Sequence, residues 1–188
     1  REALIETLAE KDDSIMEKYL SEKPIETQEL KQAVRSATIG LKGVPILCGA
    51  ALRNKGIQLL LDSIVDFLPS PLDVPPIVGH DPSTGKEEPL PAKGKGPFSA
   101  LAFKVMMDQG RRMTYIRIYS GSVKVGDTVY NPGKNVKEKL ARLLRMHSNK
   151  RERIDEASAG DIVAVMGLKI TTTGDTLCSE DHPILLEP

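Results

Sequence analysis

Aromatic side chains make up only 4% of this 188-residue chain, and cysteine occurs only twice. The first scarcity argues against recognition of nucleic acid by base stacking, which needs exposed rings, and leaves open the reading of a folded RNA's shape and backbone. Cys48 and Cys178 lie far apart, each in an apolar, strand-like context, as buried reduced thiols do in a cytosolic protein. Neither a disulfide nor a metal site is therefore expected. Charge of neither sign is in excess, with 26 basic against 26 acidic residues, so a charged partner would have to be met by a local patch. No apolar run is long enough to cross a bilayer, and no signal- or transit-peptide composition is present. Since the chain also opens on Arg1 rather than Met, we expect an excised piece of a longer cytoplasmic protein with no membrane partner.

What is present falls into two textures, and the length suits one and a half to two domains. From Arg1 to Gly43 the pattern is helical. Leu4, Ile5 and Leu8 share one face, and Asp12 or Asp13 can cap a second short helix carrying Ile15, Met16, Tyr19 and Leu20, which Pro24 ends. Thr27 is a suitable N-cap for a third helix with Leu30, Ala33, Val34 and Ala37 inward, closing near Gly40. Val44-Pro45-Ile46-Leu47 then reads as a short apolar strand flowing through the small-residue turn Cys48-Gly49-Ala50-Ala51. Gln58 to Leu68 follows as an amphipathic helix packed on that strand. Pro69, Pro71, Pro75 and Pro76 stiffen an extended connector, and Gly79 to Gly96 has no apolar period and suits a mobile loop or irregular hairpin.

After Pro97 the texture is β. Phe98–Val105, Thr114–Tyr119, Thr128–Tyr130, Ile162–Val165 and Ile184–Leu186 are short runs of β-formers. Three turns contain Gly-Asp, at Gly126-Asp127, Gly160-Asp161 and Gly174-Asp175. Many short strands without intervening helices suggest a small closed barrel. Lys137 to Met146 is ambiguous, because Leu140, Ala141, Leu143 and Leu144 follow a helical period.

The wording Val44-Pro45-Ile46-Leu47-Cys48-Gly49-Ala50-Ala51, with Leu68-Pro69-Ser70-Pro71 after the next helix, resembles the end of the GTPase domain of elongation factor G, the ribosomal translocase. Tyr119-Ser120-Gly121, Gly126-Asp127-Thr128-Val129, Met146-His147, Ala159-Gly160-Asp161-Ile162 and Gly167-Leu168-Lys169 through Thr173-Gly174-Asp175-Thr176-Leu177-Cys178 resemble that family's second domain. The resemblance implies residues 1–43 as the helical part of an insert in a P-loop GTPase domain, 44–70 as that domain's last strand and helix, 71–97 as a connector, and 98–188 as an all-β closed barrel. It also makes Lys137 to Met146 a strand. It implies Gly49, Ala50 and Ala51 as the remnant of the guanine-recognition loop, with Ala50 where the family usually has Ser. Asp108-Gln109-Gly110-Arg111-Arg112 is shorter and more basic than the family's turn, so a recycling, release factor 3-like or ribosome-protection role stands beside translocation.

The catalytic machinery is absent from this stretch. A phosphate loop needs Gly-x-x-x-x-Gly-Lys and then Ser or Thr. Gly79 to Gly85-Lys86 has one residue too many between its glycines, and Glu87 stands where the hydroxyl should be. Asn54-Lys55-Gly56-Ile57 and Asn149-Lys150-Arg151-Glu152 imitate the Asn-Lys-x-Asp guanine motif without its Asp. We therefore expect no catalytic residue and no cofactor in this chain, with GTP and magnesium bound only by the full-length protein. The RNA-contact candidates are Arg142, Arg145, His147, Asn149, Lys150, Arg151 and Arg153, a basic run diluted by Glu138, Glu152 and Asp155; the family resemblance implies the small ribosomal subunit, its RNA and protein, as the partner. A stand-alone RNA-binding barrel is the first alternative. A cysteine enzyme centred on Cys48 is the second, weakened by the lack of a nearby His and by apolar flanks that raise a thiol's pKa.

With a stiff proline segment followed by a soft Gly/Lys segment, limited trypsinolysis should cut first between Lys86 and Lys95 and leave a stable fragment beginning near Pro97. First cuts within Tyr115 to Tyr130 would contradict a two-domain division.

Overall fold

The computed structural model describes residues 1–108, 110–148 and 150–186, and it divides into two compact units, Arg1–Val74 and Pro75–Pro188.

The first unit is helical. Helices α1 (Glu2–Ala9), α2 (Asp13–Leu20) and α3 (Thr27–Ile39) enclose a small core of Leu8, Ala9, Ile15, Ile25, Leu30, Ala33 and Ala37. Asp12 caps α2, its carboxylate accepting from the amides of Ser14 at 3.0 Å and Ile15 at 3.2 Å. The cap of α3 is Glu26 rather than Thr27, and its own amide donates to the Glu29 carboxylate at 2.9 Å. Tyr19 and Leu20 lie outside the core, both exposed.

The expected strand at Val44 does not form. A strand exists only by pairing, and among the described residues this unit holds no other, so Val44 and Ile46 are left 85% and 89% exposed. Helix α4 (Ile57–Phe67) consequently has no buried residue. It is tied to α3 by polar contacts instead. Lys31 pairs with Asp66 at 2.6 Å. Arg35 donates to the carbonyls of Asp66 and Leu68 at 3.0 and 3.1 Å and to the Asp73 carboxylate at 2.7 Å. A guanidinium at the carbonyl end of a helix meets its orphan acceptors and its dipole together.

The second unit is all β. A hairpin of β1 (Ile77–His80) and β2 (Glu87–Leu90) precedes the main sheet. Ten further strands follow: β3 (Ser99–Asp108), β4 (Arg111–Ser120), β5 (Ser122–Lys124), β6 (Thr128–Asn131), β7 (Val136–Lys139), β8 (Arg142–His147), β9 (Lys150–Ile154), β10 (Glu156–Ser158), β11 (Ile162–Met166) and β12 (Thr176–Cys178). Eight of them form an antiparallel sheet in the order β7-β6-β12-β3-β4-β11-β8-β9, while β5 and β10 pair separately. Lys137 to Met146 is thus extended, as the family resemblance implied, and not helical as its period suggested.

The closed barrel expected from the sequence is not what this ladder forms, since β7 and β9 end it without pairing to each other. Only Leu140 and Ala141 separate β7 from β8. Leu140 exchanges hydrogen bonds with the Gly126-Asp127 turn, and Ala141 donates to Met166 at 2.8 Å. Gly167 permits that approach, because a Cβ there would lie 2.5 Å from the Lys139 carbonyl and 2.8 Å from the Ala141 amide. The core on the inner face includes Ala102, Ile116, Ile118, Leu140, Leu143, Val163, Val165 and Leu177. Ile184–Leu186 is not a strand either. Leu185 makes a single bridge to His80, at 2.7 and 2.8 Å, while Ile184 and Leu186 bury themselves with Leu90 and Cys178.

The three Gly-Asp turns share one device. Gly126, Gly160 and Gly174 have φ of 94°, 96° and 93°, a conformation that favours glycine. The Asp that follows each accepts the amide three residues before it, from Lys124 at 2.7 Å, Ser158 at 2.9 Å and Thr172 at 2.7 Å.

Glu138 of β7 is the one buried acidic residue among those described. Its carboxylate accepts the amide of Lys169, the amides of Ile170 at 2.8 Å and Thr171 at 2.9 Å, and the Thr171 hydroxyl. Beside it Asp175 takes Lys134 at 2.6 Å and Asn131 at 3.0 Å. Burial alone would raise the Glu138 pKa, but the Thr171 hydroxyl and the three amides outweigh it and hold the carboxyl below its ordinary range. The stabilisation is therefore fully present above the unfolded pKa of about 4.3 and is lost as pH falls through the lower folded value. Glu138→Gln should destabilise this unit by about 2 kcal/mol at neutral pH, measured by denaturant unfolding. The gap between the two proteins should shrink as pH drops below about 4; a gap independent of pH would contradict the charge-based clamp.

Candidate functional site

The resemblance implies a guanine loop at Gly49, Ala50 and Ala51, and these residues lie in a tight, internally bonded turn. Ala50 and Lys55 bridge each other, amide to carbonyl, at 3.0 and 3.1 Å. Between them Ala51–Arg53 make one turn of 3-10 helix, closed by Asn54 in the left-handed region at φ 52°. Gly56, at φ 79°, then starts α4; a Cβ on it would meet the Cys48 carbonyl at 3.2 Å and the Gly49 Cα at 3.3 Å. The turn lies beside a shallow hollow bounded by Leu47, Cys48, Lys55, Ile57 and Leu60. Its edge could meet a planar ring, but it carries no carboxylate and no row of amides converging on a phosphate. Cys48 is exposed rather than buried, because the strand that was to cover it has no neighbours. The three histidines, His80, His147 and His182, all lie in the other unit, so this unit supplies no imidazole for thiol chemistry.

The phosphate-loop imitation at Gly79–Lys86 is excluded by its geometry. The Asp81 carboxylate already accepts the amides of Ser83 at 2.7 Å and Thr84 at 3.0 Å, and these amides hold its pKa below the ordinary range. Amides turned onto the loop's own carboxylate cannot also cradle a phosphate. This loop thus does not fit a nucleotide phosphate with magnesium. Among the described residues no group of His, Cys, Asp and Glu could hold a metal ion, and no helix is long and apolar enough to cross a membrane.

The basic candidates do not form one patch. In the β8–β9 hairpin Leu143 faces Ile154, Leu144 faces Arg153, Arg145 faces Glu152, Met146 faces Arg151 and His147 faces Lys150. Side chains alternate between the faces of a strand, so Arg145, His147 and Lys150 share the face that buries Leu143 and Ile154 nearer the core. There the hairpin runs out beyond the core, and all three are exposed. His147 lies 3.4 Å from Glu152. Arg142, Arg151 and Arg153 point to the opposite face, where Arg151 is paired with Asp108. Asn149 lies outside the described residues, as does Gln109. Glu138 is buried and belongs to neither face, so it does not dilute the charge. Sequence reading missed the composition of that second face, with Arg111, Met113 and Met166; the available signal was that five of the chain's six methionines fall between residues 106 and 166.

Among known proteins, the family described as elongation factor G domain 2 matches residues 97–180. The chain is 59% identical, over 187 residues and 100% of its length, to elongation factor G 2 of Syntrophus aciditrophicus (strain SB), of which it spans 28%. A crystal structure of a Thermus thermophilus protein is similar with a TM-score of 0.68 at 25% identity, across 97% of this chain and 25% of that one.

Calorimetry with GTP or GDP and magnesium should show no saturable binding up to about millimolar nucleotide. One backbone hydrogen bond to guanine contributes on the order of 1 kcal/mol, against the roughly 8 kcal/mol of micromolar affinity. Saturable binding would require a phosphate site that these residues do not form.

Proposed function

From the premise that residues 97–180 belong to the elongation factor G domain 2 family, we propose that the chain is a section of a GTP-hydrolysing ribosomal translocase and that its β unit docks on the small ribosomal subunit. The observation that carries this reading is the end-to-end similarity to one segment of an elongation factor G, including the part that precedes the family's second domain. In the intact protein, GTP and magnesium would be held by segments outside this one, with Gly49, Ala50 and Ala51 contributing an edge of the guanine site. Catalysis therefore lies elsewhere. This chain's contribution is mechanical, and its place of action is the cytoplasm, with the ribosome.

The sheet of residues 98–188 bends without closing. At the two-residue joint Leu140 and Ala141 one bent stretch of chain serves β6 on one side and β11 on the other. A sheet bent back in this way presents its hairpins as stiff projections, and the β8–β9 hairpin is the one whose tip is basic. Arg145, Lys150 and His147 are suited to phosphate oxygens and ribose, which position a protein on RNA without reading its sequence.

Binding of the chain to small ribosomal subunits, measured by sedimentation over a range of salt concentrations, should be weak and fall as salt rises. Replacing Arg145 and Lys150 together with Ala should lower the slope of log affinity against log salt by about one to two. Binding that ignored both salt and these residues would contradict docking through this hairpin and favour another surface.

A further inference from the structure

The second face of the β8–β9 hairpin is built differently from the first. Its floor is Met113, Leu144 and Ala164, with Met106, Met146 and Met166 half-buried around them. Over Met113, Leu144 and Met166 opens a hollow of about 200 Å³ whose rim carries Arg111, Arg142, Arg151 and Arg153 against a single carboxylate, Asp108. Asp108 pairs with Arg151. Among the described residues none of the other three arginines is paired with a carboxylate. We propose that this hollow and the outer edge of β9 form a docking site for an extended acidic peptide segment of a protein partner.

Three observations select that occupant. The hollow is smaller than the roughly 300–1,000 Å³ of small-molecule sites, which suits one side chain of a longer ligand rather than a whole metabolite. Methionine and arginine are the residues enriched at protein interfaces, methionine because its unbranched thioether repacks around varied side chains. And among the described residues β9 pairs on one side only, with β8, leaving on its other side a row of backbone donors and acceptors that an added strand can satisfy. Charge then decides which strand. Lys150, Arg151 and Arg153 outnumber Glu152 along β9, so a second copy of this edge is repelled and an acidic strand is attracted. RNA is the weaker fit: no aromatic side chain lines the hollow, and a nucleic acid does not pair with a strand edge.

Asp108 acts as an internal competitor in this arrangement. An incoming carboxylate that reaches Arg142 and Arg153 can also take Arg151 from it. The site is separate from the docking row, because Arg145, His147 and Lys150 project from the other face.

The test uses the full chain and a short fluorescein-labelled peptide alternating Glu with Leu, followed by anisotropy. Arg142→Gln with Arg153→Gln should weaken binding by about tenfold or more, whereas Arg145→Gln, on β8 and outside the site, should change it by no more than about twofold. Asp108→Asn should strengthen it severalfold. Unchanged affinity in the double variant, or a loss confined to Arg145→Gln, overturns the assignment. Hydrogen exchange on the unaltered chain needs no variant: saturating peptide should protect amides of Lys150–Ile154, and unchanged exchange there overturns strand addition. A uridine oligonucleotide that displaces the peptide only while Arg142 and Arg153 are present would show that the hollow takes phosphate, and would likewise overturn the peptide assignment.

Discussion

The β unit depends on one buried anion. Taking a carboxylate out of water is costly unless its lone pairs are met, and Glu138 meets them with three consecutive amides and a hydroxyl from residues 169–171. Those groups belong to the loop between β11 and β12, which has no ladder of its own to satisfy them. The same contact therefore solves two problems, the charge and the orphan backbone. It also fixes β7 against the chain entering β12, and Asn131, Lys134 and Asp175 repeat the arrangement one turn further on. With β12 held, its pairing to β3 and β6 follows, and through β3 the long strands that carry the exposed hairpins.

Those hairpins show how little sequence distance says about a shared surface. Arg142, Arg145, Arg151 and Lys150 read as one basic run, but the alternation of a strand sends them to two faces with different neighbours. One face ends in exposed cations beyond the core and is suited to a polyanion backbone. The opposite one keeps its cations around thioether and aliphatic groups, with a carboxylate already in place. One hairpin thus carries two faces of different chemistry.

Much of this was legible beforehand. The helical opening, the Asp12 cap, the β texture after Pro97 and the three Gly-Asp turns rest on local chemistry, and local chemistry is what a sequence displays. The strand nature of Lys137 to Met146 came from the family wording, because Leu140, Leu143 and Leu144 have a helical spacing although Leu143 and Leu144 are buried on opposite faces of β8. The failures have the opposite cause. Val44 to Leu47 has strand composition, yet no strand in its unit pairs with it, so it stays open and Cys48 with it. Arg35 gave no sign of closing the end of α4, since its partners lie more than thirty residues away. Glu138 looked like one more surface acid because nothing local marks a side chain whose partners arrive from residues 169–171.

If the tip of the β8–β9 hairpin is the ribosome-facing surface of this chain, its one described lysine must become inaccessible in the complex. Lysine-modification footprinting with small ribosomal subunits reads each lysine's reactivity by mass spectrometry in the free and bound states. Lys150 should be protected on binding while Lys23 and Lys42 of the helical unit keep their reactivity. Protection of the helical lysines with Lys150 unchanged would contradict docking through the hairpin.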